Sequence, residues 1–315
     1  MMKKTTLDNL KKKFKNKNIT KSGFIKKAMD IHRYLFDYIE ITKNSEIRKI
    51  IISPQGLNFV IGKKNLNILI PQEESRVAPL EIVNFGSYEK KENFILNLFS
   101  KNSKEILDIG ANIGYYSMHF ATHNPKAIIY AFEPLKSSFS YLKQNIDSNK
   151  LQTRVKYYNL GLSNFNGKAK FYIPLRNSTN ASMKNVSRTK NYKKIIAKIS
   201  TLDDWCYKKK IKPNFIKCDV EGAELFVFEG AKKIIEKNKP LIFTELLRKW
   251  SKPYGYHPND LIFFFEKIDY LCFRIGKNKA KLIKKISEKT KETNYVFIHS
   301  KLHSNIKAKL LAAKW

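Results

Sequence analysis

The chain lacks the features that would make a disulfide framework, a zinc site or a membrane span. Its three cysteines, Cys206, Cys218 and Cys272, are scattered through 315 residues without a C-x-x-C pair, which argues for a reducing compartment. No stretch approaches the ~18 consecutive apolar residues of a spanning helix. The N-terminus MMKKTTLDNLKKKFKNK has no apolar core region or cleavage site, so a soluble cytoplasmic protein is expected. Arginine is scarce too: the formal net charge is +34, yet of 61 basic residues only eight are arginine. Arginine's planar fork is the group best suited to phosphates and bases. An excess made almost wholly of lysine, beside heavy use of asparagine and isoleucine, therefore points to an AT-rich coding bias more than to nucleic acid.

What is present suffices for a large core. Hydrophobic residues make up 43% and aromatics 13%, which excludes global disorder and fits one large α/β domain with additions. The organising stretch is LDIGANIGYYS, Leu107 to Ser117. An apolar run from Glu105 to Ile109 carries Asp108 near its end, and Gly110, Asn112 and Gly114 then occupy alternate positions before a helix begins at Tyr115. Strand, tight turn and helix open a nucleotide-binding α/β unit. The spacing departs from G-x-G-x-x-G and suits a pyrophosphate poorly. The D-x-G-x-N-x-G pattern suits a ligand with an amino-acid tail and a ribose, namely S-adenosylmethionine.

Taken in order, residues 1–21 read as a frayed basic arm. Ser22 to Ile41 reads as an amphipathic helix packed on the main domain, with contact to a membrane surface or a partner as the alternative. Ile47 to Leu69 reads as a hairpin turning at Pro54 to Gly56. Tyr88 and Glu89 begin a helix into the first central strand and put a carboxylate at the ligand mouth. Ala127 to Pro134 is a second buried strand, ending in Glu133, which can accept both hydroxyls of a ribose. Val155 to Gly161 is a third strand, with Ser163 and Asn164 where an adenine edge would be held. A hairpin turns at Asn166 and Gly167, and the polar segment Leu175 to Lys194 reads as a mobile flap.

Thr201 caps a helix, and FIKCDVEGAEL, Phe215 to Leu225, delivers Asp219 at a strand end with Glu221 and Glu224 close behind. Acids so placed are costly unless they bind something. Leu241 to Thr244 ends at Glu245, and a loop follows with Trp250, Tyr254, Tyr256 and His257, suited to stacking on a sugar or base. A helix from Asp260 and strands at Tyr270 to Ile275 and Tyr295 to His299 close a Rossmann-like class I methyltransferase arrangement: a mostly parallel central sheet, an N-terminal helical extension and a β-hairpin lead-in. The expected division is a basic helical extension (1–45), a methyltransferase domain (46–300, with lead-in 46–100 and core 101–300) and a basic tail (301–315).

The motifs GSYE, DIGANIGYYS, FEP, GLSN, STLDDW, IKCDVEGAEL and FTELL together resemble the FkbM-type methyltransferase family over roughly Tyr88 to Ser300. Asn164 stands where family members often carry aspartate. The resemblance implies an S-adenosylmethionine-dependent O-methyltransferase acting on a hydroxyl of a glycan, glycan precursor or related small molecule, as in polysaccharide biosynthesis. An RNA methyltransferase and a non-catalytic S-adenosylmethionine-binding protein are the alternatives. Cofactor contacts are expected from Glu89, Asp108, Gly110, Asn112, Gly114, Glu133, Ser163, Asn164 and Asp219. Asp219 is the first choice of proton acceptor and His257 the second, with Glu245 as a positioning acid. No metal is assigned; a divalent ion on Asp219 and a neighbouring acid is the alternative chemistry.

Overall fold

A computed structural model of the protein describes residues 5–72, 74–175 and 180–313. Its strands are β1 (Ile47–Ser53), β2 (Gly56–Ile61), β3 (Leu66–Ile70), β4 (Glu105–Ile109), β5 (Ile128–Phe132), β6 (Val155–Tyr158) and β7 (Gly161–Leu162). They continue as β8 (Gly167–Pro174), β9 (Tyr192–Ser200), β10 (Phe215–Cys218), β11 (Leu241–Glu245), β12 (Tyr270–Ile275), β13 (Ala280–Ile283) and β14 (Asn294–His299). Eight of them form one sheet in the order β13-β12-β14-β11-β10-β4-β5-β6. From β6 to β11 the pairing is parallel, whereas β14 inserts antiparallel between β11 and β12.

The alternation of side chains along each strand splits the core into two layers. On β4, Ile106 packs with Phe99, Phe120 and Phe215 on one face, while Leu107 and Ile109 pack with Trp205, Phe228 and Phe265 on the other. Helix Tyr115–His123 belongs to the first layer, and helices Leu202–Lys209 and Pro258–Glu266 to the second. The chain runs outward from β4 through β5 and β6, then returns to lay β10 and β11 on β4's other side. Such a reversal leaves a crevice outside the carboxyl ends of the strands.

Several boundaries differ from the sequence expectations. Residues 1–21 are not a frayed arm in their described part: Thr6–Lys15 is a helix whose Thr5 and Asp8 form a reciprocal capping box, with Leu10 buried. The lead-in is a three-stranded antiparallel meander, β1-β2-β3, because Leu66 to Ile70 alternates inward and pairs with β2. The third strand stops at Tyr158, and Gly161–Leu162 joins the β8–β9 hairpin in a separate small sheet. The expected flap is the tip of that hairpin. Residues 176–179 lie outside the described residues, and Tyr192 to Lys194 already belongs to β9. The expected basic tail holds a helix in its described part, Ser304–Ala312, which buries Leu310 in the core.

One buried side chain ties the lead-in sheet to the glycine turn. Asn145, on helix Lys136–Ser148, accepts from the Leu69 N–H (2.8 Å) and donates to the carbonyls of Leu69 (3.2 Å) and Ile113 (2.9 Å). A fully buried amide with its bonds satisfied in this way fixes the register of what it joins.

Candidate active site

A cleft of about 500 Å³ opens at the carboxyl ends of β4, β5, β10 and β11. Ile109, Gly110, Asn112, Phe132, Glu133, Asp219, Glu221 and Glu245 line it from the sheet side. Gly110 has φ +77°, and a Cβ there would lie 1.8 Å from the carbonyl oxygen of Asp219. The two strand-end turns thus touch through a position that only glycine fits. Asn112 adopts φ +50° and points its N–H at Glu133 Oε2, 3.0 Å away, while the Leu135 N–H donates to Oε1 at 2.9 Å. Glu133 is only 6% exposed. Burial pushes its carboxyl up to about 7, against the lowering effect of the two amides.

Beneath the cleft lies a buried ion pair that the sequence reading missed. Lys217, within β10, is the register partner of Asp108 on β4. Its ammonium lies 3.4 Å from Asp108 Oδ1 and 3.9 Å from Asp219 Oδ2, and it donates to the Gly110 carbonyl at 3.2 Å. Burial alone would lower the Lys217 pKa, but Asp108 and Asp219 raise it above the ordinary lysine value. Asp108 Oδ2 accepts from the Ser117 hydroxyl at 2.6 Å. The signal was available: a lysine inside the apolar run FIKC must find a counter-charge.

The acids at the mouth form a mutually repelling group. Glu245 is pushed up to about 8 by burial and then by Asp219, Glu224 and Glu89. Glu89 is pushed up to about 7 by burial, although a hydrogen bond from Tyr116 lowers it. Glu221, at φ +57°, is raised well above the usual carboxylate range, and its buried Oε2 has no hydrogen-bond partner among the described residues. Glu224 is spent differently. Its Oε1 accepts from the Val220 and Gly222 N–H groups at 3.1 Å each, closing the turn after β10. Gly222 is required there by φ +98° and by the Trp250 carbonyl, 2.5 Å from where a Cβ would sit.

The expected site residues do not all converge. Glu89, Gly110, Asn112, Glu133, Asp219 and Glu245 line the cleft. Glu89 does so from a left-handed N-cap, the helix beginning at Lys90 and not at Tyr88. Asp108 lies below the cleft floor, spent on Ser117 and Lys217. Gly114 caps helix Tyr115–His123 and faces Leu142.

Ser163 and Asn164 are displaced from the lining because Gly230 crosses the Ser163 backbone and the Asn164 amide donates to Glu229 at 2.8 Å. His257 is also elsewhere. It caps helix Pro258–Glu266, its Nδ1 accepting from Asn259, and faces a separate open groove with Arg248 and Asp260. Of the aromatic loop only Trp250 reaches the cleft. Tyr256 donates to the Gly222 carbonyl at 3.0 Å, and the Tyr254 hydroxyl lies 2.5 Å from that of Ser182, so both brace the wall. Unforeseen lining comes from Arg76, Phe85, Tyr88, Asn180 and Met183. Among the described residues, no group of three His, Cys, Asp or Glu side chains is arranged to hold a metal ion.

An eight-stranded, mostly parallel sheet with its antiparallel strand inserted near one edge, and a cleft over a glycine turn and a strand-end acid, define a Rossmann-like methyltransferase fold. The profile of the methyltransferase FkbM domain matches residues 108–272. The chain belongs to the FkbM methyltransferase family. It is 28% identical over 166 residues to 2-O-methyltransferase NoeI of Sinorhizobium fredii, covering 48% of this chain and 66% of that protein. It is 28% identical over 182 residues to methyltransferase sdnD of Sordaria araneosa, covering 49% of this chain and 68% of that one. A solved methyltransferase FkbM from Methylobacillus flagellatus KT aligns at 16% identity with a TM-score of 0.41, covering 72% of this chain and 56% of the other. The chain thus spans just under two thirds of NoeI and little more than half of that solved chain.

Proposed function

We propose that the protein is an S-adenosylmethionine-dependent O-methyltransferase whose acceptor is a hydroxyl of a glycan or glycan precursor, made in the cytoplasm. The observation that carries the cofactor half is Glu133. A buried carboxylate held by two backbone amides, with lone pairs left at a cleft wall, is an acceptor waiting for two donors, and a ribose diol supplies them. Gly110 leaves the turn bare beside Asp219, where a slender chain can pass. The acids Glu89 and Asp219 offer counter-charge to a cationic ligand at that end.

S-adenosylmethionine, when bound, supplies an electrophilic methyl group. The residues of this chain then have to orient a hydroxyl and take its proton. Two lining acids suit that task. Asp219 sits beside the Lys217 ammonium, and Glu245 is pushed up to about 8. Efficient general bases have a pKa near the operating pH, which favours Glu245 as the acceptor and Asp219 as the group that orients the hydroxyl, the reverse of the sequence expectation.

The sugar reading is supported by family membership and by the relative NoeI being a 2-O-methyltransferase. It is also supported by the sign of the cleft. Glu81, Glu89, Glu133, Asp219, Glu221 and Glu245 face it against Arg76 and Lys249. Two basic side chains among so many carboxyl groups do not make the basic channel that a phosphate backbone needs, whatever the net charge outside. The test is the surface glycan of a strain lacking the gene, analysed by mass: one methyl ether should be missing. Loss of a methylated ribonucleotide with unchanged glycan would give the acceptor to RNA instead.

A further inference from the structure

Helix Lys21–Lys43 is poorly covered by the rest of the fold. It packs on helix Thr6–Lys15, with Phe14 stacked on Phe24, and buries only Ala28. From His32 to Glu40 every residue is exposed. Besides Tyr34, Leu35 and Tyr38, four of its exposed apolar side chains fall on one stripe. Ile25, Met29, Phe36 and Ile39 stand 56%, 44%, 58% and 49% exposed, with His32 between them. These five positions are spaced 4, 3, 4 and 3 residues apart, the repeat of a coiled-coil seam.

We propose that two copies of the chain associate through this helix, packing antiparallel about a two-fold axis near His32. A 3.5-residue repeat selects a second helix as the occupant, because it is the spacing at which two helices keep one seam in contact over their length. Charge selects the direction. Lys26 and Glu40 lie fourteen residues apart on the same edge of the seam. Antiparallel packing sets Lys26 of each copy opposite Glu40 of the other, twice per dimer. Parallel packing would instead bring the like-charged Lys21, Lys26 and Lys27 ends together. Among the described residues the Glu40 carboxylate pairs with Lys43, exposed on both sides, and such pairs exchange at little cost.

A membrane surface fits less well. Interfacial helices carry a basic polar face, whereas here Asp30, Asp37 and Glu40 alternate with Lys26, Lys27, Arg33 and Lys43. The contact would be isologous, each copy giving the same stripe.

Light scattering after size exclusion and sedimentation equilibrium of the full chain, over a wide concentration range, test this. A dimer is expected. Phe36→Glu should turn it monomeric with unchanged circular dichroism, since the side chain is 58% exposed. Lys26→Glu and Glu40→Lys should each weaken the dimer by about tenfold, and the doubly swapped chain should regain most of that loss. A monomer at every concentration overturns the proposal, as does a dimer indifferent to Phe36→Glu or a double swap no tighter than the singles. Binding to phosphatidylglycerol vesicles that Phe36→Glu abolishes would give the face to a membrane and overturn it equally.

Discussion

Lys217 and Asp108, side by side on neighbouring parallel strands, form an ion pair that is nine-tenths or more buried on both sides, and the same ammonium holds the Gly110 carbonyl. The cation is therefore placed to set the shape of the floor on which the ligand lies. Removing one member of a buried pair leaves an uncompensated charge, worth about 3–5 kcal/mol. Lys217→Met should lose stability of that order in urea unfolding, and Lys217→Met combined with Asp108→Asn should recover part of it. A double variant as unstable as the sum of the singles would show that the pair is uncoupled.

Cofactor binding should depend on pH through Glu133. Its carboxyl, pushed up to about 7 by burial, is partly protonated near neutrality in the free protein. A ribose diol donates to the ionised form, so S-adenosylmethionine affinity should rise from pH 6 to pH 8. Glu133→Ala should weaken binding by roughly ten- to a hundredfold and flatten that dependence. Calorimetry at three pH values decides the matter, and an unchanged dissociation constant in the variant would remove Glu133 from the site.

Turnover should separate the two candidate acids. Glu245→Gln should lower kcat by about two orders of magnitude or more with cofactor affinity nearly intact, and remove the rise of kcat with pH through a group near pH 8. Asp219→Asn should raise KM for the acceptor more than it lowers kcat. The opposite pattern in the pH–rate profiles would restore Asp219 as the base.

The acid cluster should also destabilise the empty protein as pH rises. Glu89, Glu133 and Glu224 are raised to about 7 and Glu245 to about 8, all above the ordinary 4.5, with burial the leading cause in each. The folded chain therefore holds more protons than the unfolded chain between roughly pH 4.5 and 8, and stability falls across that window. Differential scanning should show Tm dropping from pH 5 to pH 8. Glu245→Gln should raise Tm at pH 8 by about 2–4 °C while it abolishes turnover.

Much of this was legible in the residues. Glycines and acids at the ends of apolar runs marked the cleft, since only a strand exit makes Gly110, Glu133, Asp219 and Glu245 neighbours, and the alternating apolar runs marked the parallel sheet. What stayed hidden depended on contacts far apart in the chain. Nothing local to GLSN says that Gly230 crosses Ser163 and turns Asn164 toward Glu229. His257 reads as a catalytic group until its ring is seen capping a helix. The two tyrosines of the aromatic loop look like a stacking surface until their hydroxyls are found on the turn after β10 and on Ser182. Helix Ser304–Ala312 is weakly patterned alone and is fixed by Leu310 entering the core, with Ile306 packed against it.

The amide of Asn145, bonded at once to strand β3 and to the Ile113 carbonyl, makes the lead-in meander and the ligand turn open as one unit. Local unfolding of the meander would release that turn, so its backbone amides and those around Gly110 should exchange with solvent at matching rates and be slowed together by any ligand seated over the turn. A truncation that starts at the first central strand would cut through that unit.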